Sequence, residues 1–242
     1  MENITLCDNE SRFDNMAACR IVSQIITKPN SVIGLSTGRT TKNMHIKVSQ
    51  MWQSLAFDIS QVTFFGLDEV VNVSRHYKGS CYQMLHDELI DGLGLDDRQL
   101  LMLPTKSNNF PKACLDFKAA LKACGGIDLL MLGLGENGHL GFNQPGTPFE
   151  QEAWVTEMNA ELEARIRRET MMPPNVHLGG VTLGLKDIMH ARHIVLVAKG
   201  ANKARIVKQM LQGPVTSNVP ASILQLHPNC EFLLDKDAAA LL

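Results

Sequence analysis

Apolar residues in this chain fall into two kinds of run. Some recur at steps of three and four. Across residues 9–28, Phe13, Met16, Ala17, Ile21 and Ile25 lie close to one face at helical spacing, which predicts a helix. Further helices are predicted over 41–54, 79–91 and 111–124, in a stretch after 198 running through Leu211, in a short turn over 220–226, and over 236–242 at the end. Other runs are short and continuous: SVIGLS at 31–36, VTFFGL at 62–67, residues 100–103, IDLLMLGL at 127–134, HIVLVA at 193–198, and 231–234. Consecutive rather than alternate apolar positions predict strands buried on both faces. On this reading about thirty residues, forming one helix, precede the first strand. Strands alternate with helices, so the expected fold is α/β: a Rossmann-like, mostly parallel sheet with helices on both faces. Segment 143–180, with Pro145, Pro148, Pro173 and Pro174, breaks the pattern and reads as an irregular lid. No repeat or composition shift marks a boundary, so one domain spanning 1–242 is expected.

Composition narrows the function classes. With 45% hydrophobic and 20% charged residues, extended disorder is excluded. Twenty-three basic residues against twenty-five acidic ones, with no basic run of five, argue against nucleic-acid or membrane-surface partners. The longest apolar stretch, 127–135, is far shorter than the ~20 residues of a membrane span. Residues 1–9 hold acids and no apolar segment of a secretion signal. Six cysteines without a C-x-x-C pair read as reduced thiols of a cytoplasmic protein and exclude a zinc ribbon.

In a parallel sheet, ligands bind beyond the carboxyl ends of the strands, so the residues that follow each strand carry the chemistry. After 31–36 come Thr37, Gly38, Arg39, Thr40 and Thr41 at a predicted helix start, which suits either an anion cradle or an ordinary helix cap. It is not a Walker loop, because G-K-[ST] is missing. After 62–67 come Asp68 and Glu69, a base or capping acids. After 127–134 come Gly135, Gly138 and Gly141 around His139; glycines admit a close ligand and histidine is the usual acid/base near neutral pH. After 193–198 comes Lys203 in the first turn of a helix, where the dipole disfavours a cation unless an anion offsets it. No metal-ligand spacing and no G-x-G-x-x-G is present. The residues point to cofactor-free, metal-free acid/base chemistry on a small phosphorylated substrate.

STGRTT at 36–41, LDEVV at 67–71, LGLGENGHLGFNQPG at 132–146, VTLGLKDI at 181–188, KGANKA at 199–204 and GPVTSNVPASILQLHP at 213–228 together resemble the glucosamine-6-phosphate deaminase/isomerase family, including its galactosamine-6-phosphate branch. The resemblance implies opening of a 2-amino-2-deoxyhexose 6-phosphate ring, proton transfer between C2 and C1, and release of ammonia and a ketose phosphate. It makes Asp68 the proton-transfer base and His139 the ring-opening group. It places Thr37, Gly38, Thr40 and Lys203 on the phosphate, where Arg39 adds a positive charge, with an arginine of the 165–168 stretch, Arg167 preferred over Arg165 and Arg168. Gly135 and Gly138 belong to the substrate loop. Asn137 and Gln144 stand where the family often has carboxylates flanking the histidine, and the Gln144 amide oxygen is expected to accept a hydrogen bond from His139. Arg39 and Val70 also depart from the usual residues. The alternatives are a 6-phosphogluconolactonase-like or other sugar-phosphate enzyme, or a non-catalytic sugar-phosphate sensor. The resemblance leaves open the gluco or galacto epimer and a possible homo-oligomer.

Overall fold

A computed structural model describes residues 3–242; Met1 and Glu2, part of the stretch read above as lacking a secretion signal, lie outside the described residues. The strands are β1 (Ile4–Cys7), β2 (Val32–Leu35), β3 (Thr63–Gly66), β4 (Asp68–Val71), β5 (Leu100–Leu101), β6 (Leu129–Gly133), β7 (Trp154–Thr156), β8 (Gly179–Thr182), β9 (Ile194–Ala198) and β10 (Cys230–Asp235). Seven of them form a sheet in the order β1-β10-β9-β6-β2-β3-β5, every pair parallel.

The continuous apolar runs are explained by cover on both faces. Ile33, Leu35, Leu129, Met131, Val195 and Val197 pack with Phe13, Ala17, Ile21 and Ile25 of the helix Glu10–Thr27 and with Met44 and Val48 of the helix Lys42–Leu55. Their neighbours Val32, Leu130, Leu132, Ile194 and Leu196 face the other way, toward Phe117 and Leu121 of the helix Phe110–Ala123 and Ile206, Val207 and Met210 of the helix Ala204–Gln212. Alternate residues of one strand thus feed two separate cores.

Three expectations are corrected. A strand, β1, precedes the first helix at the sheet edge; ITLC is only four residues long and too short to stand out as a hydrophobic run. Residues 236–242 form turns and no helix, and their ends, Leu241 and Leu242, are exposed. Segment 143–180 is partly regular: it contains β7, the helix Ala160–Thr170 and the start of β8. There β8 pairs antiparallel with β4 and β7 in a second, three-stranded sheet. Val70, Phe142, Met158, Ile166 and Leu178 form a small core of their own beneath that helix. Its single buried row, on an otherwise charged helix, is why periodicity hid behind the prolines.

The sheet order reverses between β2 and β6: the chain runs from β2 outward through β3 to β5, then returns to the other side of β2. That switch point leaves a crevice at the carboxyl ends of the two strands. Ser36 closes its floor, its backbone N–H donating to the Met131 carbonyl at 3.1 Å while its Oγ accepts from the Gly133 N–H at 2.8 Å.

Candidate active site

A cleft of about 960 Å³ opens at this switch point, lined by the loop after β2, the loop after β6, Asp68 of β4, one face of the helix Ala160–Thr170 and the loop after β9. It draws in Thr37, Gly38, Arg39, Thr40, Asp68, Gly135, Asn137, His139 and Lys203.

In the loop after β2, Gly38 adopts φ +139°, a value that favours glycine. Its carbonyl accepts from the N–H groups of Thr41 and Lys42 at 3.2 and 3.1 Å, which turns the chain into the next helix. No side chain caps that helix, so its start remains an anion-binding end. Lys203 comes from the short turn Ala201–Lys203 after β9. Burial and the neighbouring Arg39 push its ammonium pKa down, opposed by Glu136. Among the described residues neither Arg39 nor Lys203 is in a salt bridge, although both line the cleft. With no salt-bridge partner among the described residues, these two neighbouring cations can take a dianion.

Asp68 and Glu69 are both buried and do different things. They open β4 rather than lying in a loop after β3, so successive side chains point to opposite sides. Asp68 faces the cleft. Burial raises its carboxyl to about 6, offset by a hydrogen bond from the Cys81 thiol. Glu69 accepts from the backbone N–H groups of Val70, Cys81 and Tyr82 at 2.8, 2.9 and 2.8 Å, so it caps the helical stretch 81–93. Burial raises its carboxyl to about 7 against these three donors.

The His139 ring rests on Gly135, where an added Cβ would meet Nδ1 at 2.1 Å, so no larger residue fits there. Asn137 Oδ1 accepts from the His139 backbone N–H at 3.2 Å and lies 2.7 Å from His139 Nδ1. The backbone group is only a donor, which fixes the amide orientation and puts the ring hydrogen on Nδ1. The lone pair is then on Nε2. Burial, with Lys203 assisting, lowers the ring pKa to about 4, so His139 is neutral at pH 7.

Among the described residues no hydrogen bond joins Gln144 to the ring. Its Oε1 accepts from Asn137 Nδ2 at 3.0 Å, so it acts on His139 through Asn137, a correction to the direct contact expected above. Gly138, at φ +86° and packed against Val219 and Ile206, shapes the loop from outside the cleft. Arg167 is also corrected. Its guanidinium bonds Glu163 and the carbonyls of Pro173 and Val176, which tie down the helix end. Arg165 and Arg168 line the cleft instead. With Glu161 they recur at positions four and seven along one helix face, a spacing that could have identified them.

Sequence reasoning also missed Cys81, joined to Thr37 and Asp68, and Glu136, which accepts from Asn202 Nδ2 at 2.7 Å in the cleft wall. Lys199 lines the cleft but is paired with Glu10 and Asp14. Among the described residues no three His, Cys, Asp or Glu side chains are grouped as metal ligands, and no helix is long and apolar enough to cross a membrane.

The family description "glucosamine-6-phosphate isomerases/6-phosphogluconolactonase" matches residues 12–232. A glucosamine-6-phosphate deaminase of Clostridium novyi (strain NT) is 36% identical over 220 residues, covering 91% of each chain. One from Clostridium botulinum (strain Loch Maree / Type A3) is 33% identical over 237 residues, covering 98% of this chain and 97% of its own. Among solved structures, a monomeric glucosamine-6-phosphate deaminase superposes with a TM-score of 0.91 at 26% identity, covering 99% of this chain and all of its own.

Proposed function

This chain belongs to the glucosamine-6-phosphate isomerase/6-phosphogluconolactonase family, and we propose that it converts a 2-amino-2-deoxyhexose 6-phosphate, with water, to the ketohexose 6-phosphate and ammonia. The observation that carries this reading is the arrangement of the cleft. A buried carboxylate, Asp68, and a neutral imidazole, His139, share it with Arg39 and Lys203, which have no salt-bridge partner among the described residues.

The phosphate lies on the loop 37–41 and Lys203, with Arg165 or Arg168 reaching over from the lid helix. These contacts are remote from C1 and C2, so their binding energy holds the reacting carbons in place. His139 Nε2 takes the proton of the anomeric hydroxyl as the ring C–O bond breaks, and returns it to the ring oxygen. In the open chain, Asp68 takes the C2 proton and an enolamine forms. Asp68 then returns that proton to C1. Water adds at C2 of the resulting imine, and ammonia leaves. A carboxylate raised to about 6 by burial is a stronger base than an exposed one, yet remains ionised at pH 7.

The same scaffold serves lactone hydrolysis in other members of the family description, but that reaction needs an activated water and no shuttle between carbons. The six cysteines are free thiols, and a cytoplasmic setting goes with this reading. Ammonia release from glucosamine 6-phosphate and galactosamine 6-phosphate, with a 6-phosphogluconolactone control, tests it. Release from either amino sugar is the expected result; activity on the lactone alone, or on none of the three, overturns it.

A further inference from the structure

Cys81 opens the helical stretch 81–93 and is buried. Its Sγ receives a hydrogen bond from Thr37 Oγ1 at 3.1 Å and donates to Asp68 Oδ1 at 3.4 Å. The second carboxylate oxygen, Oδ2, has no hydrogen-bond partner among the described residues. It lies on the Gly141 side, where an added Cβ would meet it at 3.1 Å, and Gly141 lines the cleft. One oxygen of the carboxylate is thus held and the other is free toward the space where substrate carbons would sit.

We propose that Cys81 is a positioning residue for the proton-transfer base: its thiol holds Asp68 Oδ1 and joins the carboxylate to Thr37 of the anion cradle, leaving Oδ2 for the substrate. The inference rests on the proton-shuttle role of Asp68 proposed above.

The chemistry suits a thiol. Burial and the two neighbouring carboxylates push the Cys81 pKa well above its ordinary value, so it stays protonated and remains a donor. A thiol is a weak donor. It orients the carboxylate while stabilising its charge only slightly, so the base keeps the strength that burial provides. A hydroxyl in the same place would stabilise the carboxylate more and weaken the base. Thr37 adds to the effect, because a donor feeding the sulfur polarises its S–H. Among the described residues, the titratable groups that interact with Asp68 are Glu69 beside it on β4 and Cys81 from the helix packed on it, while His139, Arg39, Lys203, Arg165 and Arg168 line the same cleft. Glu69 is engaged by three backbone donors, which leaves Cys81 as the side chain that bonds the Asp68 carboxylate.

The test compares the wild-type protein with Cys81→Ala, Cys81→Ser and Thr37→Val. In each, the Asp68 carboxyl is titrated in the free protein by carbon-13 NMR, assigned by its loss in Asp68→Asn. In parallel, the acid limb of kcat/KM for ammonia release is measured. Cys81→Ala should move both titrations upward by on the order of half a pH unit, the scale of one lost hydrogen bond. Its kcat should fall several-fold with little change in KM. Cys81→Ser should move both titrations downward, and Thr37→Val should move them upward by less than Cys81→Ala. A role in packing alone would not give opposite shifts for alanine and serine. Unchanged titrations, or equal shifts for the two Cys81 variants, overturn the proposal. Thr37→Val decides the matter if the Cys81 variants do not fold: no shift there overturns it too. The expected carboxyl shifts in a protein that releases no ammonia overturn the deaminase reading and leave the thiol's hold on Asp68 standing.

Discussion

Asn137 Oδ1 lies 2.7 Å from His139 Nδ1 and 3.2 Å from the His139 backbone nitrogen, so one amide fixes both the main chain and the tautomer of the ring. The free lone pair on Nε2 is therefore set by an uncharged neighbour. A carboxylate in the same place would hold the same tautomer and also favour the imidazolium.

Charge placed at position 137 should act on the ring more strongly than charge at 144. Asn137→Asp puts a carboxylate in direct contact with Nδ1, whereas Gln144→Glu acts through the intervening amide. Both should raise the His139 pKa from about 4, and Asn137→Asp should raise it more. Proton NMR of the ring measures the shift. Turnover should respond for closed-ring substrate and little for an open-chain analogue. Equal shifts, or a larger one for Gln144→Glu, would contradict the relay.

Asp68→Asn should lower turnover by roughly 10²–10⁴ with a modest change in substrate affinity, while Glu69→Gln, at a side chain turned away from the cleft, should change turnover far less. The acid limb of kcat/KM should lie near pH 6 and belong to Asp68, since His139 is neutral there. A limb that persists in a residually active Asp68→Asn variant would assign it elsewhere.

The same carboxylate costs stability. The Asp68 pKa is higher in the folded chain, about 6 against an ordinary value of 3.8, so the folded state binds the proton more tightly. Its stabilising effect is present below pH 4 and is lost as pH rises through about 6. Asp68→Asn should therefore raise Tm at pH 7.5, by up to about 2 kcal/mol in free energy, and the gain should vanish near pH 4. Thermal melts across that window check the sign. A Tm at pH 7.5 below that of the wild type would refute it.

Lys203→Ala should weaken phosphosugar binding by on the order of 1.5–3 kcal/mol, the scale of a hydrogen bond to a charged group. Arg39→Ala, at an exposed position, should cost less and mostly at low salt. Calorimetric titration with inorganic phosphate and with the phosphosugar separates the two, and unchanged phosphate binding in Lys203→Ala would remove it from the site.

On the helix Ala160–Thr170, Arg165→Ala and Arg168→Ala should raise KM, whereas Arg167→Ala should leave KM near normal and destabilise the 160–178 segment. The reason is that Arg167 holds Glu163 and two backbone carbonyls. Kinetics combined with hydrogen exchange over that segment distinguish the roles. A raised KM with unchanged exchange in Arg167→Ala would restore it to the phosphate site.

The sequence determined the layers of this fold and the loops that meet at its centre. Val32–Leu35, Leu129–Gly133 and Ile194–Ala198 are legible as buried strands because cover on both faces demands consecutive apolar residues. Thr37, Gly38, His139 and Lys203 are legible because turns, glycines and helix starts at strand ends are local features. Only the tertiary structure decided between close neighbours. Asp68 faces the cleft and Glu69 does not, because β4 leaves the parallel sheet to pair with β8 and the strand alternation falls that way. Asn137 rather than Gln144 meets His139, and Arg165 and Arg168 rather than Arg167 face the cleft, because a loop turn and a helix rotation select them. Cys81 reaches Asp68 across thirteen positions of chain. Backbone periodicity is set by residues a few positions apart, whereas which polar side chains touch depends on packing between distant segments, and one sequence read without neighbours does not carry it.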